Sequence, residues 1–185
     1  MRLLTSLGLL FIIASILHPT SVLAGTGITV SELSSKVTEK KITVDCEILY
    51  NLDDRVKEAM RNGIEMSFLL EIELRQQSIY WIDPLLNQLQ REFRVKYHAL
   101  SKQFVMVETG SQKERSFPDL YSAFYYQRRI HNAELADLNL LNLEQEYYFR
   151  ARARLVSEKL PLPLRIKSYV STGWRPSSGW TVWPM

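Results

Sequence analysis

The sequence predicts a mainly β protein, an antiparallel β-sandwich of seven or eight strands with two or three short helices. Apolar and polar residues alternate along four segments, and such alternation is typical of strands that bury one face and expose the other. The four segments are 42–50, 64–75, 92–98 and 147–155. Parallel strands would need continuous apolar runs and crossover helices, which the chain after residue 24 does not show. An immunoglobulin-like order is one form of this sandwich, and a partly open barrel is the alternative architecture.

Four further strands are predicted from shorter patterns. They cover residues 26–34, 103–108, 113–116 and 164–172. The intervening sequence Thr-Gly-Ser-Gln at 109–112 has the composition of a tight turn, so we expect it to join the second and third of these strands as a hairpin.

Short helices are predicted at the connections between strands. Residues 53–62 have acidic residues in the first turn, and Gly63 supplies a stop after the last turn. Ser-Phe-Pro-Asp at 116–119 resembles a capping box with proline in the first turn, and apolar residues at helical spacing follow it. The pair Asp83 and Pro84 predicts a third helical turn.

The first 24 residues have the pattern of a secretory signal peptide. Arg2 is their only charge, an apolar run covers 3–17, and Val-Leu-Ala at 22–24 forms a small-x-small cleavage pattern. We therefore expect a signal peptide at 1–24 and a single exported, periplasmic domain at 25–185. An uncleaved membrane anchor is the alternative, although the run of 15 residues is shorter than the about 20 needed to cross a bilayer.

Composition and charge are those of an ordinary globular domain. The formal net charge of +3 is too small to indicate nucleic acid as the partner. Cys46 is the single cysteine, which excludes a disulfide within the chain. It falls on the apolar phase of its strand, so we expect a buried thiol; an intermolecular disulfide or a redox thiol is the alternative.

An arginine stripe, defined as Arg150, Arg152 and Arg154, is the most prominent polar feature. Residues at this spacing share one face of a strand, about 7 Å apart. Guanidinium groups suit phosphates and carboxylates, so the stripe is a candidate binding face for an anionic lipid, a glycan or an acidic partner. The alternative is a structural ladder of ion pairs with Glu71 and Glu73, which share the wetted face of another strand.

The aromatic tail, residues 173–185, contains three of the four tryptophans, Trp174, Trp180 and Trp183. Tryptophan is enriched at protein interfaces and at membrane surfaces, so these residues are candidate contacts with a partner protein or a peripheral membrane contact. The alternative is that the tail folds back and covers an edge strand of the sandwich.

Catalytic and metal-binding patterns are weak in this sequence. His98 falls on the polar face of its strand beside charged residues and has no nucleophile or orienting acid at a telling spacing. Glu71 and Glu73 could form a carboxylate pair for glycan hydrolysis, but two solvated charges explain them more simply. Neither clustered zinc ligands nor a glycine-rich phosphate loop is found, so we expect no metal site and no cofactor.

Three stretches together carry a family resemblance: NLDDRVKEAM at 51–60 running through Gly-Ile at 63–64 into LEIEL at 70–74, RVKYHALS at 94–101 followed by RSFP at 115–118, and LPLPLR at 160–165 with Trp-Arg at 174–175 and Trp180. In this order they resemble the proteobacterial exported proteins grouped as domain of unknown function 4390. The resemblance covers nearly all of the chain after residue 24 and implies a location in the cell envelope. Family members tend to be encoded near a membrane sensor kinase, which implies a link to such a sensor.

The favoured functional hypothesis is a non-catalytic periplasmic module that binds another envelope protein or the outer domain of a sensor. The alternative is a binder of an envelope lipid or glycan that uses the arginine stripe or space between the sheets. The third and least favoured is an envelope hydrolase, which would need a concave cluster of polar groups.

Overall fold

The computed structural model describes residues 26–78, 81–142 and 144–185, and this part of the chain is mainly β. It forms two antiparallel sheets and three α-helices, which confirms the predicted fold class. The predicted signal peptide at 1–24 lies outside the described residues.

The described residues form nine strands, where the sequence predicts seven or eight, together with three short 3₁₀ turns. The strands are β1 (Gly27–Thr38), β2 (Lys41–Asn51), β3 (Met66–Gln76), β4 (Leu85–His98), β5 (Gln103–Glu108), β6 (Glu114–Phe117), β7 (Arg129–Asp137), β8 (Tyr147–Leu155) and β9 (Thr181–Pro184). The helices are α1 (Asp54–Arg61), α2 (Leu120–Gln127) and α3 (Leu162–Val170). The 3₁₀ turns are Leu138–Leu140, Ser157–Lys159 and Thr172–Trp174.

The strand order is close to that of an immunoglobulin-like sandwich. One sheet has the order β1-β2-β7 and the other β6-β5-β4-β3-β8-β9. The run β9-β8-β3-β4-β5 corresponds to the larger sheet of a variable-type immunoglobulin domain, and β1-β2-β7 to three strands of its smaller sheet. β6 departs from that order, because it extends the larger sheet next to β5 and does not join β7.

The core lies between the two sheets and is centred on four aromatic side chains. Tyr50 of the smaller sheet meets Phe68 of the larger sheet edge-on, with ring centroids 5.9 Å apart. Phe124 of α2 stacks on Tyr50 at 4.9 Å, and Phe93 stacks on Phe68 at 5.4 Å. Such aromatic pairs stabilise a core beyond the effect of the area they bury, so this cluster ties α2 and both sheets together.

Several predicted elements are confirmed. The thiol side chain of Cys46 is buried in β2, as its place on the apolar phase predicts. α1 begins after Asp53, whose carboxylate accepts a hydrogen bond from the main-chain N–H of Arg55 at 2.9 Å. Gly63 follows α1 with φ of +84°, a conformation that glycine adopts without strain. The hairpin between β5 and β6 turns at residues 109–112, as predicted.

Three local predictions are wrong. The segment 164–172, predicted as a strand, is mostly α3, because the prolines at 161 and 163 open a helix and the apolar residues that follow also fit helical spacing. The helical turn predicted at Asp83 and Pro84 is not formed, since β4 begins at Leu85 and pairs with β3 over 85–95. The cap of α2 is Asp119, not Ser116, and its carboxylate accepts from the main-chain N–H of Ser122 at 2.7 Å.

Candidate functional site

The arginine stripe lies on β8 and is paired with carboxylates. In the register between β3 and β8, Arg152 faces Glu71 and Arg150 faces Glu73. Each of these pairs has a nitrogen–oxygen distance of 2.7 Å. Arg154 also contacts Glu71, at 3.3 Å, and Glu158 at 3.4 Å. The ladder of ion pairs, the structural alternative for the stripe, is therefore present.

The aromatic tail folds back along β8. β9 pairs with β8 and places Trp183 opposite Phe149, where it packs against the core. The Trp180 ring covers two residues of the arginine stripe, with its centroid 4.1 Å from Cζ of Arg150 and 4.4 Å from Cζ of Arg152. Trp174 is 8% exposed and belongs to the core. All three tryptophans thus have structural contacts, and a role for them or for the stripe in binding stays a prediction.

The two histidines after residue 24 are placed apart. His98 ends β4 and lines a shallow depression of mixed charge together with Glu65 and Glu114. His131 is exposed on β7, with Nδ1 3.6 Å from Oδ1 of Asp45. In the described residues, no group of three or more His, Cys, Asp or Glu side chains could hold a metal ion. No helix within that part is long and apolar enough to cross a membrane.

A cleft of about 520 Å³ opens between β2, α1 and α2. We call it the α1–α2 cleft. Its floor is made of apolar side chains, among them Ile48, Leu52 and Phe124, which are buried. Its rim includes Tyr121 and Tyr125 of α2, both exposed. A concave apolar surface with a few polar groups at its edge is the usual form of a ligand site.

The charged groups of the cleft are mostly cationic. Arg128 pairs with Glu47 at 3.0 Å and lies over the Tyr125 ring, 4.4 Å from its centroid. Lys57 pairs with Asp54 at 3.0 Å. Among the described residues, the guanidinium of Arg61 has no ion-pair or hydrogen-bond partner, so its charge is available to a ligand.

Asp119 is the carboxylate of the cleft, and it is committed to capping α2. The hydrogen bond that it accepts from the main-chain N–H of Ser122 stabilises its charged form and lowers the pKa of the carboxyl group. The anion at this helix N-terminus is stabilised further by the helix dipole. The cleft therefore offers a ligand an apolar floor and cations, while its one carboxylate is already bonded.

One wall of the cleft is an open strand edge. Pairing between β2 and β7 ends at Glu47 opposite Arg129, and the N–H of Ile48 then donates to the carbonyl of Arg128 at 2.7 Å. β2 runs on to Asn51 with β1 on its other side, and no described strand pairs with Leu49 or Tyr50 on the side of the cleft. In a strand, the N–H and C=O groups of every second residue point to the same side. The N–H of Ile48 points toward Arg128, so the N–H and C=O of Tyr50 point to that same side, which is the side of the cleft.

Sequence reasoning missed this cleft because its walls come from three distant segments. One signal was present, however: Leu49 is an apolar residue on the polar phase of β2, after Thr43, Asp45 and Glu47. Its side chain is exposed and lines the cleft. An apolar residue out of phase on an otherwise regular strand indicates a surface that something else contacts.

Comparison with known proteins gives a family and no further relative. The family model described as "Domain of unknown function (DUF4390)" matches residues 25–184. No curated protein and no solved structure matches the chain. The match extends over nearly the whole domain and confirms the resemblance carried by the three sequence stretches. The chain belongs to the DUF4390 family.

Proposed function

We propose that the protein is an exported binding module, without catalysis of its own, that holds an extended segment of another envelope protein in the α1–α2 cleft. The outer domain of a membrane sensor is one such partner. The observation that carries the proposal is that an apolar cleft and an open strand edge coincide. The pattern at 1–24 supports export to the periplasm.

An extended segment can pair with the open side of β2 next to Tyr50. In this mode the main-chain hydrogen bonds supply affinity and are independent of the side chains of the guest. Alternate side chains of the guest strand point to opposite faces. One set would enter the apolar floor formed by Ile48, Leu52 and Phe124, and the other would face Leu49 and the tyrosine rim.

The charge of the cleft selects among such segments. Arg61 has its full charge available, and Arg128 keeps part of its guanidinium free beside Tyr125. A guanidinium binds a carboxylate through two parallel hydrogen bonds. The guest is therefore a segment in which alternating apolar residues are accompanied by acidic ones.

The proposal is tested by panning a random peptide library against the purified protein. We expect enrichment of peptides with alternating apolar residues and at least one acidic residue. In Arg61→Glu, binding of these peptides should weaken at least about tenfold, which corresponds to about 1.4 kcal/mol. The amide resonances of 49–51 should shift when such a peptide is added.

The matched control is Arg91→Glu, which makes the same change of charge at an exposed position on β4. It should bind the selected peptides as the unchanged protein does. Enrichment that is lost equally in both variants would show only general attraction of opposite charges and would contradict the proposal. So would a library without enrichment, or a lipid that co-purifies in the cleft.

A further inference from the structure

α3 exposes an apolar face to solvent. Leu162, Ile166, Tyr169 and Val170 are 65%, 59%, 64% and 82% exposed, respectively. Their spacing of four, seven and eight residues places them on one side of the helix, since each residue advances about 100° around the axis. We call this set the α3 face.

The α3 face is the side that a surface helix normally makes polar. Leu164 packs against the core and Ser168 is buried, and these two residues lie on the opposite side of α3. A helix with one apolar side normally turns that side inward and its polar side outward. Here the inward side of α3 packs against the rest of the domain, so the α3 face is available to a partner outside the chain.

Cations flank the α3 face on both sides. Arg165 borders it on one side and Lys167 on the other, and Arg175 lies over the Tyr169 ring, 5.8 Å from its centroid. The guanidinium of Arg165 donates to the carbonyl of Leu160 and keeps its charge. The segment 159–175 contains no acidic residue. Two carboxylates lie near these cations: Glu58 of α1 shares a depression with Lys167, and Glu158 interacts electrostatically with Arg175.

We propose that the α3 face docks the protein on the surface of an anionic lipid bilayer. An apolar stripe bordered by cations is the pattern of a helix that lies in the interfacial plane, with its apolar side in the acyl boundary and its cations at the headgroups. Tyrosine at the edge of such a stripe suits the headgroup level. The cations beside the α3 face are attracted to the negative surface of the bilayer. This attraction favours an anionic lipid surface over a neutral groove of another protein.

The proposed membrane contact on α3 is separate from the tail tryptophans. Trp174 is in the core, and Trp180 covers arginine side chains. The α3 face is also separate from the α1–α2 cleft, because the two lie on different sides of α1. Lys57 and Arg61 line the cleft, whereas Glu58 and Ala59 line the depression shared with α3. A bilayer contact through α3 would leave the cleft open to a guest segment.

The test is flotation with vesicles that contain phosphatidylglycerol and with vesicles of phosphatidylcholine alone. We expect the protein to float with the anionic vesicles and much less with the neutral ones, and added salt should weaken the binding. The double variant Ile166→Ser/Val170→Ser should lose at least about tenfold in partition coefficient, because two apolar side chains no longer enter the bilayer. Lys167→Gln should lose about fivefold on anionic vesicles only.

The matched control is Val182→Ser, which makes the same polar substitution at an exposed position on β9. It should float as the unchanged protein does. All the variants have the same N-terminal segment, so a difference in flotation between them is due to the substitutions in α3. Circular dichroism should show the same fold in each. Absence of flotation with anionic vesicles, or equal flotation of the double serine variant, would overturn the proposal. A dimer that forms without lipid and dissociates in that variant would also overturn it and assign the face to a second copy.

Discussion

Glu73 shows how the polar side of the larger sheet is stabilised. Its carboxylate accepts hydrogen bonds from Nε of Arg75 at 2.6 Å and from Nε of Arg150 at 2.7 Å. Burial raises the pKa of Glu73, but the hydrogen bonds and charges of Arg150 and Arg75 outweigh it, so the pKa is lowered from its ordinary 4.5. Folding therefore stabilises the charged form of this side chain.

We predict that Glu73→Gln lowers the free energy of unfolding by about 1–3 kcal/mol at neutral pH, because two half-buried guanidinium groups lose their anion. A lowered pKa contributes stability above pH 4.5, and this contribution is lost as the pH falls through the lower pKa of the folded state. The difference between the two proteins in urea unfolding should thus shrink as the pH is lowered below 4.5.

The control for this prediction is Glu134→Gln, which removes an equivalent carboxylate from an exposed pair with Lys41. Exposed pairs contribute little, so its unfolding curve should stay close to that of the unchanged protein. If the two substitutions cost the same at neutral pH, burial would not be the reason for the effect at Glu73.

The ion pairs between the arginine stripe and Glu71 and Glu73 could be predicted from the sequence only in part. The strand period of two placed the arginines on one face and the glutamates on another, and this much followed from alternation. The pairing of β3 with β8 needed the third dimension, because 81 residues separate Arg152 from Glu71. The position of Trp180 above both arginines depends on how the tail turns back, and no local pattern indicates that.

At the scale of elements, the aromatic tail acts as the last strand of the larger sheet. β9 covers the outer edge of β8, and the main-chain N–H of Leu155 donates to the carbonyl of Pro176 at 3.0 Å, which continues the contact beyond β9. An edge strand covered in this way is protected from pairing with other chains. Trp174 anchors the beginning of the tail in the core.

We predict that Trp174→Ala destabilises the protein by about 3–5 kcal/mol, because it removes a large buried side chain and leaves a cavity. Thermal unfolding should show the loss as a drop of about 10 °C or more for a domain of this size. Val182→Ala on β9 truncates an exposed side chain and should change the melting temperature little. A small effect of Trp174→Ala would mean that the tail does not anchor the sandwich.

Elements with regular alternation were predictable, and irregular ones were not. β7 was missed because its pairing with β2 shifts register twice, and Asn132 within it has φ of +47°. Such bulges break the period of two, so buried residues fall at uneven spacing. The first half of β4 was missed for another reason: its side chains are largely exposed on both faces, and alternation needs one buried face.

For the whole molecule, the sandwich could be inferred from repeated alternation, whereas the α1–α2 cleft could not. The cleft exists because the pairing of β7 with β2 ends at Glu47 and Phe124 of α2 packs on Tyr50 beyond that point. Strand order and the point where two strands diverge are properties of the assembled sheets. The one local sign of the cleft in the sequence was Leu49, an apolar residue on the polar phase of β2.

Cys46 reports on the integrity of both sheets. It lies in β2, which is central in the smaller sheet, and its side chain faces the core between the sheets. Burial, with a smaller effect of the charge on Glu47, raises the pKa of the thiol to about 12. The reactive form is the thiolate, so the native protein should hold this group both inaccessible and protonated.

We predict that a thiol reagent modifies Cys46 at least about a thousandfold more slowly in the native protein than in the urea-unfolded chain, because modification requires opening of the sandwich. A control protein with Cys46→Ala and Ser34→Cys has its thiol on the exposed side of β1 and should react quickly without urea. Rapid modification of native Cys46, or a disulfide-linked dimer on non-reducing gels, would revive the redox or intermolecular alternative. Slow modification that accelerates together with unfolding would make the single cysteine a probe of the entire fold, since both sheets must separate before it reacts.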